Sequence, residues 1–303
     1  MIGAVSLAST VVVRLVGGLG NQMFQYAAAC ALAQERQARV LMDVSAFESD
    51  PLRNYELDRL CVPQDILPAR LQPWRNRRSL PARVIRRLTR WRTPHGGGYR
   101  EPHFHFDKDF FALSGEEIRL EGYFQSPLYF DRCEAVLRER FRPVEPFGRA
   151  AQEWSQRIAA SACSVSLHVR RGDYVSNPHA AAVHNAVGEG YYRRAIALMQ
   201  RLVGEGADFF LFSDEPDFVE QAFADLPRAH VVRTDPQRSW EDMFLMARCN
   251  HHIIANSSYS WWGAWLNASR EKVVIAPGQW FTRERLATTN VMDLYPEGWI
   301  ILK

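Results

Sequence analysis

Short apolar segments alternate with helical segments through the second half of this 303-residue chain, and no other feature constrains its fold as strongly. The predicted strands are 165–169, 209–212, 229–233, 252–255 and 272–276. The predicted helices are 190–202, 216–224, 240–248 and 260–267. Apolar strands that alternate with helices indicate a parallel sheet with both faces covered. Ligands of such sheets bind beyond the carboxyl ends of the strands.

The first half of the chain begins with a similar unit. An apolar strand is predicted at 10–16, and a glycine-rich turn follows at 17–20. An Ala-rich helix at 22–34 then leads to a strand at 39–43. This order of elements is typical of a βαβ unit, so the first half is also predicted to be α/β.

A linker joins the two halves. The sequence PVEP, at 143–146, has the composition of a connection between domains, and 303 residues are enough for two domains. We therefore predict an N-terminal domain at 1–150 and a C-terminal domain at 151–303. A hydrophobic content of 47% and a charged content of 23% are ordinary for a globular protein.

Cysteine and histidine usage argues against a metal or a disulfide framework. The five cysteines are scattered, odd in number and free of CxxC spacing, which fits a reducing compartment. His251 and His252 are adjacent, so in a strand they would point to opposite faces. We predict no metal site. The apolar N-terminus is interrupted by Arg14 and is too short to span a bilayer, so a cytoplasmic location is expected.

An arginine-rich segment at 70–100 contains ten arginines and no acidic residue. Within it, 81–92 has the pattern of a basic amphipathic helix, which is typical either of a peripheral membrane contact or of a solvated helix face. A nucleic-acid-binding protein that uses this segment is a more remote interpretation. The segment matches no recognised module and has few aromatic residues, so no nucleic-acid partner is predicted.

Polar clusters follow three of the predicted strands. They are HVRRGD at 168–173, SDE at 213–215 and NSSYS at 256–260. Two arginines can fork around phosphate oxygens, and the start of a helix also binds anions. We therefore predict a nucleotide diphosphate as the ligand. The alternative is that Arg170 and Arg171 form a structural salt bridge with Asp173.

The turn GGLGNQ, at 17–22, is neither a GxGxxG fingerprint nor a P-loop. Close packing between a strand and a helix explains its glycines. Packing does not explain Asn21, so we predict a site role for that side chain.

Taken together, these motifs resemble the bacterial α-1,2-fucosyltransferases, GDP-fucose-dependent enzymes of glycosyltransferase family 11. The segments that carry the resemblance are GGLGNQMFQYA (17–27), GYFQSPLYF (122–130), HVRRGDYV (168–175), FSDEPDFV (212–219), EDMFLMARCNHHIIANSSYSWWGAWLN (241–267), VVIAPGQWF (273–281) and DLYPEGWI (293–300). The resemblance implies a GT-B fold of two facing Rossmann-like domains, with the active site in the cleft. The second domain would bind GDP-fucose, and the first would supply much of the site for a galactoside acceptor.

The resemblance also implies a reaction and a set of residues. Fucose would pass with inversion from GDP-β-L-fucose to the 2-hydroxyl of a galactoside, without a metal or other cofactor, in bacterial surface-polysaccharide synthesis. Arg170 and Arg171 would hold the diphosphate, and Asn21 would reach the β-phosphate or the fucose. The donor-binding residues implied are His168 and Asp242 at the guanine, Ser257 and Ser258 at the phosphates, and Ser213, Asp214, Asn256 and Gly18.

Acceptor binding is implied for Gln22, Tyr174 and Trp261, although a core position is the more ordinary interpretation of Trp261. Asp173 is expected to be important, either in the chemistry or in orienting the arginines, and no dedicated general base is assigned. Two related activities stay open at this point: a fucosyltransferase of another linkage, and a transferase that uses another GDP-sugar. The sequence predicts no oligomeric state.

Overall fold

The computed structural model describes residues 9–71, 98–172 and 187–303, and the chain forms two compact units. The first unit comprises 1–144 together with the short segment 292–294. The second unit comprises 145–291 and 295–303. The chain therefore passes from the first unit to the second at 144/145, and it contributes three residues to the first unit again near its end.

The first unit contains a four-stranded parallel sheet in the order β2-β1-β4-β3. Its elements in chain order are β1 (Thr10–Arg14), α1 (Leu19–Glu35), β2 (Arg39–Asp43), β3 (Gly98–Arg100), β4 (Glu117–Glu121) and α2 (Glu134–Arg140). Helix α1 is buried along almost its whole length. A helix that is apolar or small on every side belongs in a core, and its alanines allow the neighbouring elements to approach closely.

The second unit contains a six-stranded parallel sheet in the order β10-β9-β8-β5-β6-β7. Its elements in chain order are α3 (Arg149–Ala160), β5 (Ser164–Val169), α4 (Glu189–Val203), β6 (Asp208–Ser213), α5 (Pro216–Ala222), β7 (Ala229–Val231), α6 (Trp240–Arg248), β8 (His251–Ile253), α7 (Ser258–Leu266), β9 (Val274–Pro277), α8 (Arg283–Leu286) and β10 (Ile300–Leu302).

Strand β6 shows why this sheet is covered on both faces. Phe209 and Leu211 pack into one apolar cluster with residues of α4, whereas Phe210 and Phe212 pack into another with residues of α3 and α6. Alternate side chains of a strand point to opposite faces, so an unbroken apolar run requires helices on each side. The predicted α/β fold with parallel sheets is confirmed.

The structure also contains elements that the sequence did not predict. Strands β3 and β10 have three residues each, which is too short for a clear apolar pattern. Strand β4 and helix α3 were also not recognised. The predicted helix at 22–34 begins earlier, at Leu19, because the glycine turn ends sooner than expected and Gly18 is the N-cap.

Two findings concern membrane-spanning helices and the state of the cysteines. In the part of the chain that the structure describes, no helix has both the length and the apolar character needed to cross a bilayer. All five cysteines are free thiols. The predicted membrane contact at 81–92, like most of the arginine-rich segment, lies outside the described residues and stays a prediction.

Candidate functional site

The candidate site of the second unit lies where three neighbouring strands end. Strands β8, β5 and β6 are adjacent in the sheet and run parallel, so their carboxyl ends share one edge. The three polar clusters predicted from the sequence follow these strands directly. The sheet therefore brings together HVRRG, SDE and NSSYS, which are far apart in the chain.

Both arginines after β5 are held by carboxylates that follow β6. Arg170 Nη1 lies 3.0 Å from Asp214 Oδ2, and Arg171 Nε lies 3.2 Å from Glu215 Oε2. The Arg171 guanidinium also lies over the ring of Phe218, with 3.8 Å between its carbon and the ring centre. The side chains of Arg170 and Arg171 keep 24% and 31% of their surface exposed, so both can still contact a ligand.

The alternative interpretation was that these arginines form a structural salt bridge with Asp173. In the structure, their salt-bridge partners are Asp214 and Glu215. Asp173, the predicted partner, lies outside the described residues, as does Tyr174. Asp214 has structural contacts in this turn. Its carboxylate pairs with Arg170 and also accepts a hydrogen bond from the Arg171 backbone N–H at 3.1 Å. Ser213 fixes the same turn, because its Oγ accepts the Glu215 N–H at 3.0 Å.

Gly172 has no room for a side chain. A Cβ at this position would lie 2.3 Å from Asp214 Oδ2 and 3.0 Å from its Cγ. The backbone of the arginine turn therefore approaches the Asp214 carboxylate more closely than any other residue would allow.

His168 is a buried, neutral imidazole next to these charges. Its side chain is 5% exposed, and its Nδ1 has no hydrogen-bond partner among the described residues. Burial, together with the positive charge of Arg170, lowers the pKa of His168 to about 3. A buried polar atom without a partner is costly, which fits a nitrogen that pairs with a ligand.

Asp242 lies in the first turn of α6. Thr234 Oγ1 donates to Asp242 Oδ1 at 2.7 Å, and each carboxylate oxygen can accept a further hydrogen bond. Burial raises the pKa of Asp242 to about 6; the Thr234 bond opposes this shift, and the charge of Glu241 adds to it. Glu241 itself is a structural residue that accepts from Arg238 Nε and from the Gly148 N–H, each at 2.7 Å.

Tyr259 ties together the starts of two helices. Its hydroxyl donates to the Ser239 carbonyl, next to α6, and accepts the Met243 N–H at 2.8 Å. Tyr259 is itself in the first turn of α7, and its ring lies 5.9 Å from that of His168. Tyr259 therefore places His168, Asp242 and the start of α7 close to one another, a role that the sequence did not reveal.

The polar residues before α7 divide into structural and accessible groups. Ser257 is the N-cap, and its Oγ accepts the Tyr259 N–H at 3.3 Å, although the hydroxyl proton can still be donated. Asn256 is 1% exposed and donates from Nδ2 to the Trp280 carbonyl at 3.1 Å. Ser258 is partly exposed in the first turn of the helix, where N–H groups favour an anion.

Trp261 lies in the core, which is the position that the sequence favoured over a role in the site. The side chain has no exposed surface, and its ring packs against Trp262, Trp265 and Trp299 with centre distances of 4.9, 6.5 and 5.4 Å. An acceptor cannot reach a ring that is enclosed in this way, so the acceptor role expected for Trp261 is not supported.

Gln22, in the first unit, is also a structural residue. It has no exposed surface, its Nε2 donates to the carbonyls of Gly17 and Asn54 at 2.9 and 2.8 Å, and its Oε1 accepts the Glu56 N–H at 2.9 Å. The amide is fully used in tying the glycine turn to the loop at 54–56. The acceptor role expected for Gln22 is therefore not supported either.

Asn21 differs from its neighbour because it is partly exposed. Its Oδ1 accepts from Gln125 Nε2 at 2.7 Å, and its Nδ2 lies so close to Gly17 that a Cβ there would be only 2.7 Å away. Gly17 has a φ of +77°, a conformation that favours glycine. Gly18 ends the turn as the N-cap of α1. The turn fixes the orientation of Asn21 at the start of the helix.

A metal centre has no obvious ligands in the same region. Across residues 9–71, 98–172 and 187–303, no three histidine, cysteine or acidic side chains are grouped so that they could hold a metal ion. The cationic groups that the structure describes beside the ends of β5 and β6 are the guanidinium groups of Arg170 and Arg171.

Comparison with known proteins gives a consistent picture. The sequence model of glycosyl transferase family 11 matches residues 99–303. The O-antigen biosynthesis glycosyltransferase WbnK of Escherichia coli is 33% identical over 310 residues, covering 95% of this chain and 99% of that protein. An alpha-1,2-colitosyltransferase of the same organism is 33% identical over 295 residues, covering 96% of this chain and 98% of that protein. The solved structure of the fucosyltransferase NodZ from Bradyrhizobium is similar with a TM-score of 0.51 at 13% identity, covering 85% of this chain and 93% of that one. This likeness confirms the GT-B fold class.

Proposed function

Because the chain belongs to glycosyl transferase family 11, we propose that it transfers L-fucose from GDP-β-L-fucose to the 2-hydroxyl of a terminal β-galactoside. The transfer inverts the fucose carbon, so that the β-linked donor gives an α-1,2-linked product. The donor binds the second unit, and the first unit supplies much of the acceptor site. The relatives named for O-antigen synthesis and for an α-1,2 linkage support this reading.

The observation that carries the proposal is the pair of arginines at the carboxyl edge of the second sheet. Asp214 and Glu215 hold Arg170 and Arg171 in place, and both guanidinium groups keep exposed surface. When the bond between fucose and GDP breaks, negative charge grows on the β-phosphate. Preoriented cations stabilise that charge in the transition state more than in the ground state, which lowers the barrier.

The same arginines are the basis for proposing that no metal is required. A divalent cation serves other sugar transferases by neutralising the diphosphate, and two guanidinium groups carry the same total charge. Arginine also offers paired N–H donors that match the spacing of phosphate oxygens. Ser257 and Ser258 add hydroxyl and backbone donors at the start of α7.

Asp242 and His168 suit recognition of the guanine. A carboxylate can accept the ring N–H and the exocyclic amino group of guanine together. His168 is neutral, and its Nδ1 has no partner in the part of the chain that the structure describes, so this nitrogen can pair with the base without placing a second positive charge beside Arg170. Tyr259 keeps these two side chains near the start of α7.

A second candidate is the same transfer with colitose in place of fucose. One relative that matches nearly the whole chain is named an alpha-1,2-colitosyltransferase, and it is as similar to this chain as the other E. coli relative. The donor phosphates and the linkage are the same in both candidates, so the arginines do not separate them. Competition between the two donors does.

The first test is an incubation with GDP-fucose and lactose in EDTA, with mass spectrometry and NMR of the product. An α-1,2-linked fucosyl-lactose is expected. Release of free fucose and GDP without a transfer product would support the donor site and reject lactose as an acceptor. Neither transfer nor hydrolysis, with no GDP binding by titration, would reject the proposal.

Variants of the arginines test the site itself. Arg170→Ala should lower kcat about 10²–10³-fold, as the removal of one preoriented donor does in other enzymes. Arg149→Ala is the matched control, because that arginine lies in the same unit, is 94% exposed and pairs with Glu153 on its own helix. Equal activities of the two variants would contradict the role given to Arg170.

A further inference from the structure

A cavity of about 430 Å³ lies within the first unit, where the second half of α1, the start of β2 and α2 meet. Cys30 lines it from α1 and Arg140 from α2, while Arg39 and Val40 line it from β2. Because Arg39 begins its strand, the cavity is at the amino edge of the first sheet, whereas Asn21 follows the carboxyl end of β1. The volume is in the range of small-molecule binding sites.

The arginine of this cavity, Arg140, pairs with no carboxylate among the residues that the structure describes. Its neighbour on α2 does: Arg138 Nη2 lies 2.7 Å from Glu134 Oε1. Arg140 instead donates from Nη1 to the Tyr26 hydroxyl at 2.7 Å and to the Cys30 sulfur at 3.1 Å. A half-buried cation without a countercharge is costly, and a bound anion would remove that cost.

The remaining donors of Arg140 suit a carboxylate. Both of its hydrogen bonds start from Nη1, and within the described parts of the chain Nε and Nη2 have no hydrogen-bond partner. The N–H groups of Nε and Nη2 are parallel, and their spacing matches the two oxygens of a carboxylate. The guanidinium carbon also lies 5.8 Å from the ring centre of Tyr26. The contacts with Tyr26 and Cys30 therefore orient the guanidinium before a ligand binds, which lowers the cost of binding.

The other walls of the cavity favour an apolar ligand with a single negative charge. Val40 and Val136 contribute apolar surface. Asp65 also lines the cavity, and its Oδ1 pairs with Arg39 Nη2 at 3.2 Å. Because Asp65 neutralises Arg39, the described lining residues offer a ligand the charge of Arg140 alone. A monocarboxylate matches that charge better than a phosphate dianion does.

The thiol of Cys30 can report whether the cavity is occupied. Cys30 is only 4% exposed but lines the cavity, so a reagent can reach its sulfur from there. Its neighbour Cys133 and the charge of Arg140 lower the pKa of the Cys30 thiol, although burial opposes the shift. A lower pKa raises the fraction of thiolate that alkylating reagents attack. Cys61 is an exposed thiol of the same unit outside the cavity, so it is an internal reference.

We propose that this cavity is a binding site for a small monocarboxylic acid with an aliphatic or aromatic body. The carboxylate pairs with Nε and Nη2 of Arg140, and the body packs against Val40 and Val136. The site belongs to the first unit, whereas the arginines of the donor site belong to the second, so the inference goes beyond the proposed function and does not depend on it. A ligand that binds only the folded chain also stabilises that chain.

The test combines calorimetric titration with alkylation of the native protein by N-ethylmaleimide, read by peptide mass spectrometry. At least one of hexanoate and benzoate should bind, and both hexanol and inorganic phosphate should bind about tenfold or more weakly. At about ten times its dissociation constant, the carboxylate should slow alkylation of Cys30 about tenfold, since most sites are then occupied. Alkylation of Cys61 should not change.

Variants of Arg140 test the pairing. Arg140→Met keeps most of the length of the side chain and removes its charge, so it should weaken carboxylate binding about 10–100-fold. Arg140→Lys keeps the charge without the paired donors, and its affinity should fall between those of the wild type and Arg140→Met. Arg138→Met is the matched control, because Arg138 lies on the same helix, pairs with Glu134 and is not part of the cavity wall. It should bind the carboxylate as the wild type does.

Three results would overturn the inference: no binding of either carboxylate, binding that leaves the alkylation of Cys30 unchanged, or equal affinity in Arg140→Met. Hexanol or phosphate that binds as tightly as the carboxylates would also reject it. If Arg140→Met does not fold, protection of Cys30 by the carboxylate and not by hexanol in the wild type decides the question. None of these measurements uses sugar transfer, so a failure of the proposed function would be seen separately, in the assay with GDP-fucose and lactose.

Discussion

Replacing Gly172 with alanine adds one methyl group at the point where the arginine turn meets Asp214. The new Cβ would lie 2.3 Å from Asp214 Oδ2, whereas ordinary contacts begin at 3.4 Å. The carboxylate must therefore retreat by about 1 Å. That oxygen is the one that holds Arg170 at 3.0 Å, and the other oxygen of Asp214 holds the Arg171 N–H at 3.1 Å.

A displacement of about 1 Å in a group that positions a catalytic residue lowers a rate about 10²-fold, or about 2.7 kcal/mol in barrier. Gly172→Ala should thus lower kcat about 10²-fold, because Arg170 no longer meets the charge on the departing phosphate. The side chain of Arg170 is unchanged, so the loss would come from its orientation. On the purified protein, transfer kinetics measure the change in kcat, and GDP titration measures any change in nucleotide affinity.

Gly206→Ala is the control for this variant. A Cβ at Gly206, in the same unit, would have no atom within 4 Å, so the same chemical change should leave kcat and GDP affinity unaltered. Wild-type kcat in Gly172→Ala would refute the reasoning, since it would mean that Asp214 can move without consequence for the arginines. An equal loss in both variants would show a general effect of the added methyl groups.

Three further predictions concern single side chains. Asp242→Asn should weaken GDP binding about 10-fold or more, and the wild-type affinity should fall as the pH drops below about 6, where Asp242 takes up a proton; titrations at pH 5 to 8 would contradict this if both proteins behaved alike. Gln22→Ala should lower the free energy of unfolding by about 1–3 kcal/mol, because three partly buried backbone groups lose their partner, and denaturant unfolding measures this. Burial raises the pKa of Glu101 from 4.5 to about 7, so the folded protein holds a proton that the unfolded chain releases. The free energy of unfolding should therefore fall as the pH rises from about 5 to 8, and Glu101→Gln should reduce that fall by at most about 3 kcal/mol. Denaturant unfolding across this pH range measures it, and the same pH dependence in both proteins would contradict the prediction.

The second sheet was predictable because its strands carry long apolar runs. Strand β5 was expected at 165–169 and extends over Ser164–Val169, and the arginines that follow it were recognised from their position at a strand end. A short strand gives no such signal. Strand β3 has three residues and forms the end of the arginine-rich segment, so its recognition depends on its pairing with β4, about 20 residues further along the chain.

The candidate site was predictable as a set of segments but not as a set of contacts. Asn21 and Gln22 are adjacent polar residues, and only the structure distinguishes the partly exposed one from the fully buried one. The partner of Arg170 is Asp214, which is distant in sequence, because strands β5 and β6 lie side by side.

Residues 292–294 belong to the first unit although the chain on both sides of them belongs to the second. Asp293 accepts the Phe106 N–H at 2.7 Å through its carboxylate, and its carbonyl accepts the Ser126 hydroxyl at 3.0 Å. A fragment that stops at residue 144 would therefore leave the Phe106 N–H and the Ser126 hydroxyl proton without the acceptors that Asp293 provides.

This feature limits how the two units can be inherited. A single genetic crossover at 144/145 would join a new first unit to the old 292–294 segment, so Phe106 and Ser126 would meet residues from a different ancestor. Exchange of the whole first unit between members of the family by recombination thus requires two matched events rather than one. The same rule applies to chimaeras made in the laboratory, which should carry residues 292–294 from the parent of their first unit.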